Sequence, residues 1–257
     1  MEFLFSHFSA AILSILFVLL AILIAVTGLF LFSKVTSYET LKKNHGVSSV
    51  IFGAISLIYS LILAFVIVAV WNDYEELNST IEKEADKLSS ILIHSQELPD
   101  SISRPIQNAI REYASLVVRN EWQTSTEEKM INTKLPQIRH LVLKYESAQP
   151  SEQKILDIID DDLSDGVDLR RERMNHQHSH VPGLVWMILI TGTIITIFCS
   201  YLFFVEPRRL HYLFTCLLTC IIALSLFLVY TLDHPFQGSS HVSSKTFEDL
   251  YSNQRTN

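Results

Sequence analysis

Polar and apolar positions along this chain separate into long blocks. Residues 8–32, 47–71, 183–205 and 211–232 contain no Asp, Glu, Lys or Arg. Each block is roughly 20 residues or more, enough for a helix to cross a hydrocarbon core about 30 Å thick. Between the second and third blocks, residues 72–182 are polar but keep a helical rhythm of apolar positions. Val70, Tyr74, Leu77, Ile81, Ala85, Leu88 and Leu92 recur in steps of four and three, the spacing of one helix packing along another.

The rest of the polar segment repeats the theme. Pro99 ends that first stripe, and "DSISRP" reads as a turn and N-cap region before Ile102, Ile106, Ile110, Tyr113 and Val117. Thr124 with Glu127 forms a candidate capping box ahead of Ile131, Leu135, Ile138, Val142 and Tyr145. "AQPS" breaks that helix, and Ile155, Ile158, Ile159, Leu163 and Val167 mark the next. No segment of useful length alternates with the period of a strand. The expected fold is therefore an all-α membrane protein with four transmembrane helices and a helical soluble domain inserted between the second and third. Its parts are a first helix pair within 1–71, the soluble domain at 72–182, a second pair at 183–232 and a C-terminal tail at 233–257, frayed after Tyr251.

No helix breaker interrupts the chain from Ala54 to Leu98. The second transmembrane helix is expected to leave the bilayer as one rod, about 65–70 Å long at 1.5 Å per residue. Trp71 and Tyr74, flanking Asn72, fall where an aromatic belt lies at a membrane surface.

Composition sharpens this picture. Hydrophobic residues make up 49% of the chain and charged residues 18%, with a positive mean hydropathy of +0.27, so four buried core helices would lack polar sequence to cover them. Met1 to His7 carries Glu2 and no Lys or Arg, and the first apolar run is too long for the core of a cleaved signal, so that run is expected to stay in the mature protein. Cys199, Cys216 and Cys220 all lie in the last two apolar blocks and read as small buried hydrophobes. The soluble segment holds 13 Lys and Arg against 21 Asp and Glu, so the acidity of the chain belongs to it.

Several residues are candidates for chemistry. His176, His178 and His180 in "NHQHSHVP" would share a face only in an extended segment, as weak metal candidates, as a pH-responsive element or as a solvated linker. "DIIDDDLSDGVD" lacks the terminal Glu of a calcium loop and reads as the acidic face of a helix, or as a vestibule wall that would attract cations. Arg170, Arg171 and Arg173 are membrane-surface anchors or partners for the acidic helices. No nucleophile triad, phosphate loop or nucleotide motif is present, and no charge lies within a span. An enzyme, a cofactor and a nucleic-acid partner are not expected; the expected partners are the lipid bilayer and other copies of the chain.

"VWNDYEELN" at 70–78 resembles the segment that ends the second membrane helix of bestrophins, and "LDHPFQGSSHVSSKTFEDL" at 232–250 resembles the Pro-Phe-Gly stretch after their last one. With "EWQ" after a helix and "RRER" before the third span, the chain is similar to the bestrophin-like family of bacterial and plant membrane proteins. The resemblance implies a homo-oligomeric, pentameric channel for small monovalent ions, with the second helix lining an axial pore; chloride is favoured by the resemblance, and the acidic domain leaves cations possible. It assigns the neck to Leu57 and Leu61, extended by Phe65, and gives Asp233, Pro235, Phe236 and Gly238 as the motif after the fourth span. This chain departs from the pattern in three ways: Gly53 stands at the third neck position, Ala69 and Val70 precede the Trp, and "QGSSHVSS" lacks the acidic residues of a calcium site.

A narrow apolar ring dewets and blocks ions until it widens, so such a neck is a chemically sensible gate. The spacing of Leu57, Leu61 and Phe65 equally marks a face turned to lipid or to a neighbouring helix. A non-conducting membrane scaffold or sensor is the alternative function. The helical domain is expected on the cytoplasmic side, although the signals conflict, with Arg170, Arg171, Arg173, Lys83 and Lys87 flanking the domain and offsetting much of the bias of the short loops. Lys34, Lys42, Lys43, Arg208 and Arg209 favour cytoplasmic short loops, whereas the resemblance favours a cytoplasmic helical domain in a bacterial inner membrane.

Overall fold

The computed structural model describes residues 10–36, 38–121, 128–145, 149–178, 180–203, 205–236 and 242–252. The helices are α1 (Ala10–Val35), α2 (Tyr38–Ser95), α3 (Asp100–Leu116), α4 (Glu128–Lys144), α5 (Pro150–His178), α6 (Gly183–Tyr201), α7 (Arg208–Asp233) and α8 (Lys245–Ser252). No strand occurs among the described residues. Four helices, α1, α2, α6 and α7, are long and apolar enough to cross a membrane.

Helix α2 is 58 residues long and starts well before the predicted residue 47. Residues 38–46, expected to belong to a loop, are part of the helix. Gly46 and Gly53 do not break the helix, although each costs about 1 kcal/mol relative to Ala. At Gly53, inside the apolar block, an apolar medium offers backbone N–H and C=O groups no alternative partner, so the helical pattern outweighs that cost. At its other end α2 stops at Ser95, just short of Pro99, and reaches about 85 Å in all.

Three further boundaries differ from expectation. "DSISRP" is not a turn: Pro99 is the N-cap and all six residues are helical. Asp100 sits in the first turn, where a negative charge is favourable, and it accepts a hydrogen bond from Arg104 at 2.6 Å. Helix α5 runs through to His178, so His176 and His178 are helical rather than extended. Pro150, one of the predicted breakers, opens that helix at a position where its missing N–H is not needed. The third span ends at Tyr201 rather than 205, and the fourth begins at Arg208, after Pro207. Thr124 and Glu127 lie outside the described residues; α4 begins at Glu128.

The chain divides into two compact units, one comprising residues 1–74 and 180–241, the other 75–179 and 242–257. In the first unit, Tyr59, Leu63 and Val70 of α2 form a buried cluster with Leu189 of α6 and with Ile222 and Val229 of α7. The Tyr59 hydroxyl donates to the Leu189 carbonyl at 3.2 Å and bonds the Thr193 hydroxyl at 2.6 Å. Gly192 makes this approach possible, because a Cβ there would collide with the Tyr59 ring. Helix α1 is tied in by Tyr201, whose hydroxyl donates to the Ala25 carbonyl at 2.7 Å.

The second unit is a helical bundle. Its core holds Leu77, Ile81, Ala85, Leu88 and Ile91 of α2, Ile106, Ile110 and Tyr113 of α3, Leu135 and Ile138 of α4, and Ile159 and Leu163 of α5. Helix α8, in the segment expected to be tail, adds Phe247 and Leu250 to that core. At the centre Arg173 donates to Glu84 at 2.6 Å, and Tyr113 donates to the same carboxylate at 2.6 Å. The Phe247 ring lies 5.6 Å from the Arg173 guanidinium.

Candidate functional site

Helix α2 presents two different faces within its apolar segment. The side carrying Tyr59, Leu63 and Val70 is used in packing within the chain. Leu57, Leu61 and Phe65 lie on another side and remain 70%, 56% and 68% exposed. Gly53 falls one turn before Leu57, and a Cβ there would meet nothing within 4 Å. Exposed Ser60 lies beside Leu57 and Leu61, with its hydroxyl returned to the Leu57 carbonyl at 2.9 Å. A side chain at a core-facing position would be covered by α6 or α7; these are not. The apolar face is thus available to lipid, to water or to another copy of the chain.

Trp71 is half-exposed and its ring lies 6.4 Å from that of Tyr74, with Asn72 exposed between them. Such amphipathic rings suit a membrane boundary, where one end is wet and the other apolar.

The described residues at the end of the fourth span are closely packed. Asp233 ends α7 with its side chain only 5% exposed. Its Oδ1 accepts a hydrogen bond from the Val181 N–H at 2.6 Å. The His180 ring lies 3.9 Å from that oxygen and the His234 ring 3.7 Å from the other. His180 and His234 stack at 5.0 Å, and His234 stacks on Tyr230 at 4.4 Å. Pro235 is buried and Phe236 partly buried; Gly238 lies outside the described residues. Sequence reasoning missed the convergence of His180, Asp233 and His234, because 53 residues separate the first two.

The family model for the Bestrophin-like domain matches residues 16–247. The chain belongs to the Bestrophin-like family. Among solved structures, this Bestrophin-like chain superposes on a bacterial bestrophin homologue from Klebsiella pneumoniae carrying a point mutation. That match has a TM-score of 0.72 at 10% identity and covers 92% of this chain and 98% of the other. Two mutant structures described as membrane proteins match with TM-scores of 0.68 and 0.62, at 12% and 14% identity. They cover 92% and 93% of this chain and 96% and 97% of theirs. At these identities the likeness establishes the fold. No curated protein matches the sequence.

Three cations partly offset the six Asp of the acidic stretch in this Bestrophin-like protein. Lys87 pairs with Asp162 at 2.9 Å and with Asp165 at 2.7 Å, and Ser90 donates to Asp162 at 2.6 Å. Arg139 reaches Asp160 at 2.7 Å, and Arg171 reaches Asp168 at 3.1 Å. Hydrogen bonds to Asp165 and Asp162 raise the Lys87 pKa well above the usual lysine value, so this cation persists at neutral pH.

Of the three histidines in the "NHQHSHVP" run, the helical geometry separates His176 from His178 by two residues on α5, so they do not share a face. The His178 side chain lies outside the described residues. His176 instead falls beside Glu172 and Glu76, and His180 beside Asp233 and His234, each grouping with its ligand atoms within 4.8 Å of one another. Of the three arginines, Arg173 is a bundle residue with 1% side-chain exposure rather than a membrane anchor.

Proposed function

We propose that this Bestrophin-like protein is a homo-oligomeric, pentameric channel that passes small monovalent ions, chloride foremost. Its α2 helices surround the axis. The reading rests on the family match over residues 16–247. Helix α2 is compatible with it, since its apolar span packs the Tyr59 and Leu63 side and leaves Leu57, Leu61 and Phe65 uncovered, as the other spans also leave apolar residues uncovered. A helix that uses only one side within its own chain has a second side to offer to an assembly. Rings of Leu57, Leu61 and Phe65 from several copies form a neck that loses its water when narrow. Gly53 leaves that neck wide at one end.

The resemblance favours chloride, and partial pairing of the acidic stretch weakens the argument for cations. Asp160, Asp162, Asp165 and Asp168 are all paired with Lys or Arg, so the negative potential they would project is weakened. In this reading Trp71, Asn72 and Tyr74 mark the membrane exit, and the Asp233, Pro235, Phe236 and Gly238 motif fixes the end of the fourth span. The protein resides in a bacterial inner membrane with its helical domain in the cytoplasm, and reporter fusions at residues 45 and 125 test that orientation. Its task is transport rather than catalysis.

Ion flux from liposomes containing purified protein tests the function. Flux above that of protein-free vesicles, increased by the Leu57→Ala/Leu61→Ala double substitution, is the expected result. A stable monomer by native mass measurement, with no flux, supports a non-conducting scaffold instead.

A further inference from the structure

The junction between the start of α6 and the end of α7 has the makings of a metal site that the channel reading does not use. Three groups of ligating type, His180, Asp233 and His234, bring their ligand atoms within 4.8 Å of one another. The Asp233 carboxylate is almost wholly buried, and the Val181 N–H fixes its Oδ1 from one side. A buried carboxylate oriented by a backbone donor is the usual support for a ligating oxygen.

The separations suit a small ion. In a tetrahedral zinc site with bonds of about 2.0–2.1 Å, neighbouring ligand atoms stand about 3.4 Å apart. The Nδ1 atoms of His180 and His234 lie 3.9 and 3.7 Å from the two Asp233 oxygens. Those distances are too long for hydrogen bonds, yet within about half an ångström of a coordination edge. The rings are also held in position, since His234 lies between Tyr230 at 4.4 Å and His180 at 5.0 Å.

We propose that His180, Asp233 and His234 bind a divalent first-row transition ion, of which Zn2+ is the type, and so clamp the start of the third span to the end of the fourth. Two imidazoles and one carboxylate form a donor set for such ions rather than for calcium or magnesium, which take oxygen ligands. Ion binding has a definable competitor. Without it, the His180 Nδ1–H donates to the Asp233 carbonyl at 3.0 Å and the His234 Nδ1–H to the Tyr230 carbonyl at 3.1 Å. Coordination through Nδ1 moves each ring proton to Nε2, leaving the rings neutral, and exchanges two hydrogen bonds for two metal bonds.

The test is a Co2+ titration of the full-length, untagged protein in detergent, followed by visible absorption and then by displacement with Zn2+. The expected result is one Co2+ per chain with d–d bands of a low-coordinate site, bleached by Zn2+. His180→Gln and His234→Gln should each weaken binding by roughly tenfold or more. Asp233→Asn, which keeps an acceptor for the Val181 N–H, should weaken it too. Zn2+ should raise the melting temperature of the wild type and not of the histidine variants. His180 is half-exposed, so His180→Gln gives a decisive readout even if His234→Gln fails to fold. Absence of the bands, or bands of unchanged strength in His180→Gln, overturns the proposal. Neither result depends on whether the protein conducts ions.

Discussion

The Arg173 guanidinium lies 2.6 Å from the Glu84 carboxylate, with 1% and 0% of the two side chains exposed. Two charges so deeply buried are tolerated only because each has partners: Tyr113 donates to the same carboxylate and Phe247 covers the guanidinium. Removing one partner leaves the other charge unpaired out of water. Arg173→Met alone or Glu84→Met alone is therefore expected to destabilise the helical unit by about 3–5 kcal/mol. The double substitution should cost clearly less than the sum, and chemical unfolding of the three variants measures the difference.

Helix α8 follows from the same centre. Phe247 is fully buried, so Phe247→Ala is expected to cost about 3–5 kcal/mol. A chain ending at residue 241 should unfold more easily still. Thermal melting of the three chains checks this.

Gly192 and Gly53 predict opposite outcomes for one kind of change. Gly192→Ala drives a methyl into the Tyr59 ring, which hydrogen bonds pin in place, and overpacking of this sort costs about 1–3 kcal/mol. Gly53→Ala meets open space and gains helix propensity, so it should be neutral or stabilising by up to about 1 kcal/mol. Gly53→Leu should in addition lower ion flux, by adding a further apolar ring to the proposed neck. Melting curves and liposome flux read the two effects separately.

Lys87 sets a pH dependence whose sign can be worked out. Its pKa is raised by hydrogen bonds to Asp165 and then to Asp162. A raised pKa gives stability that is fully present below the ordinary lysine value and is lost as pH climbs through the folded value. The pair is partly exposed and screened, so Lys87→Met should cost at most about 1 kcal/mol. That deficit should stay constant from neutral pH to about pH 10 and shrink only above it, as unfolding at several pH values would register.

Much of this architecture is legible without coordinates, because charge-free blocks and helical stripes are local signals. Ile106, Ile110, Tyr113, Leu135, Ile138, Ile159 and Leu163 all occupy the core that their spacing predicts. What could not be read is what lacks an apolar stripe or depends on distance along the chain. The start of α2 at Tyr38 is hidden because the polar run from Glu39 to His45 carries no apolar stripe. Arg173 resembles its exposed neighbour Arg171, and only the approach of Glu84, 89 residues away, makes it a core residue. His180 meets Asp233 through a contact between two spans that no local pattern encodes.

The central claim is that the uncovered side of α2 faces water in an assembled channel. Thiol accessibility tests it most directly, in chains whose Cys199, Cys216 and Cys220 are replaced by Ala. Only the hydrated thiolate reacts quickly, so a cysteine facing lipid stays inert. In reconstituted protein, a charged, membrane-impermeant thiol reagent should abolish most of the ion flux of Leu61→Cys and leave Leu63→Cys unaffected. An unreactive Leu61→Cys with unaltered flux would contradict the account.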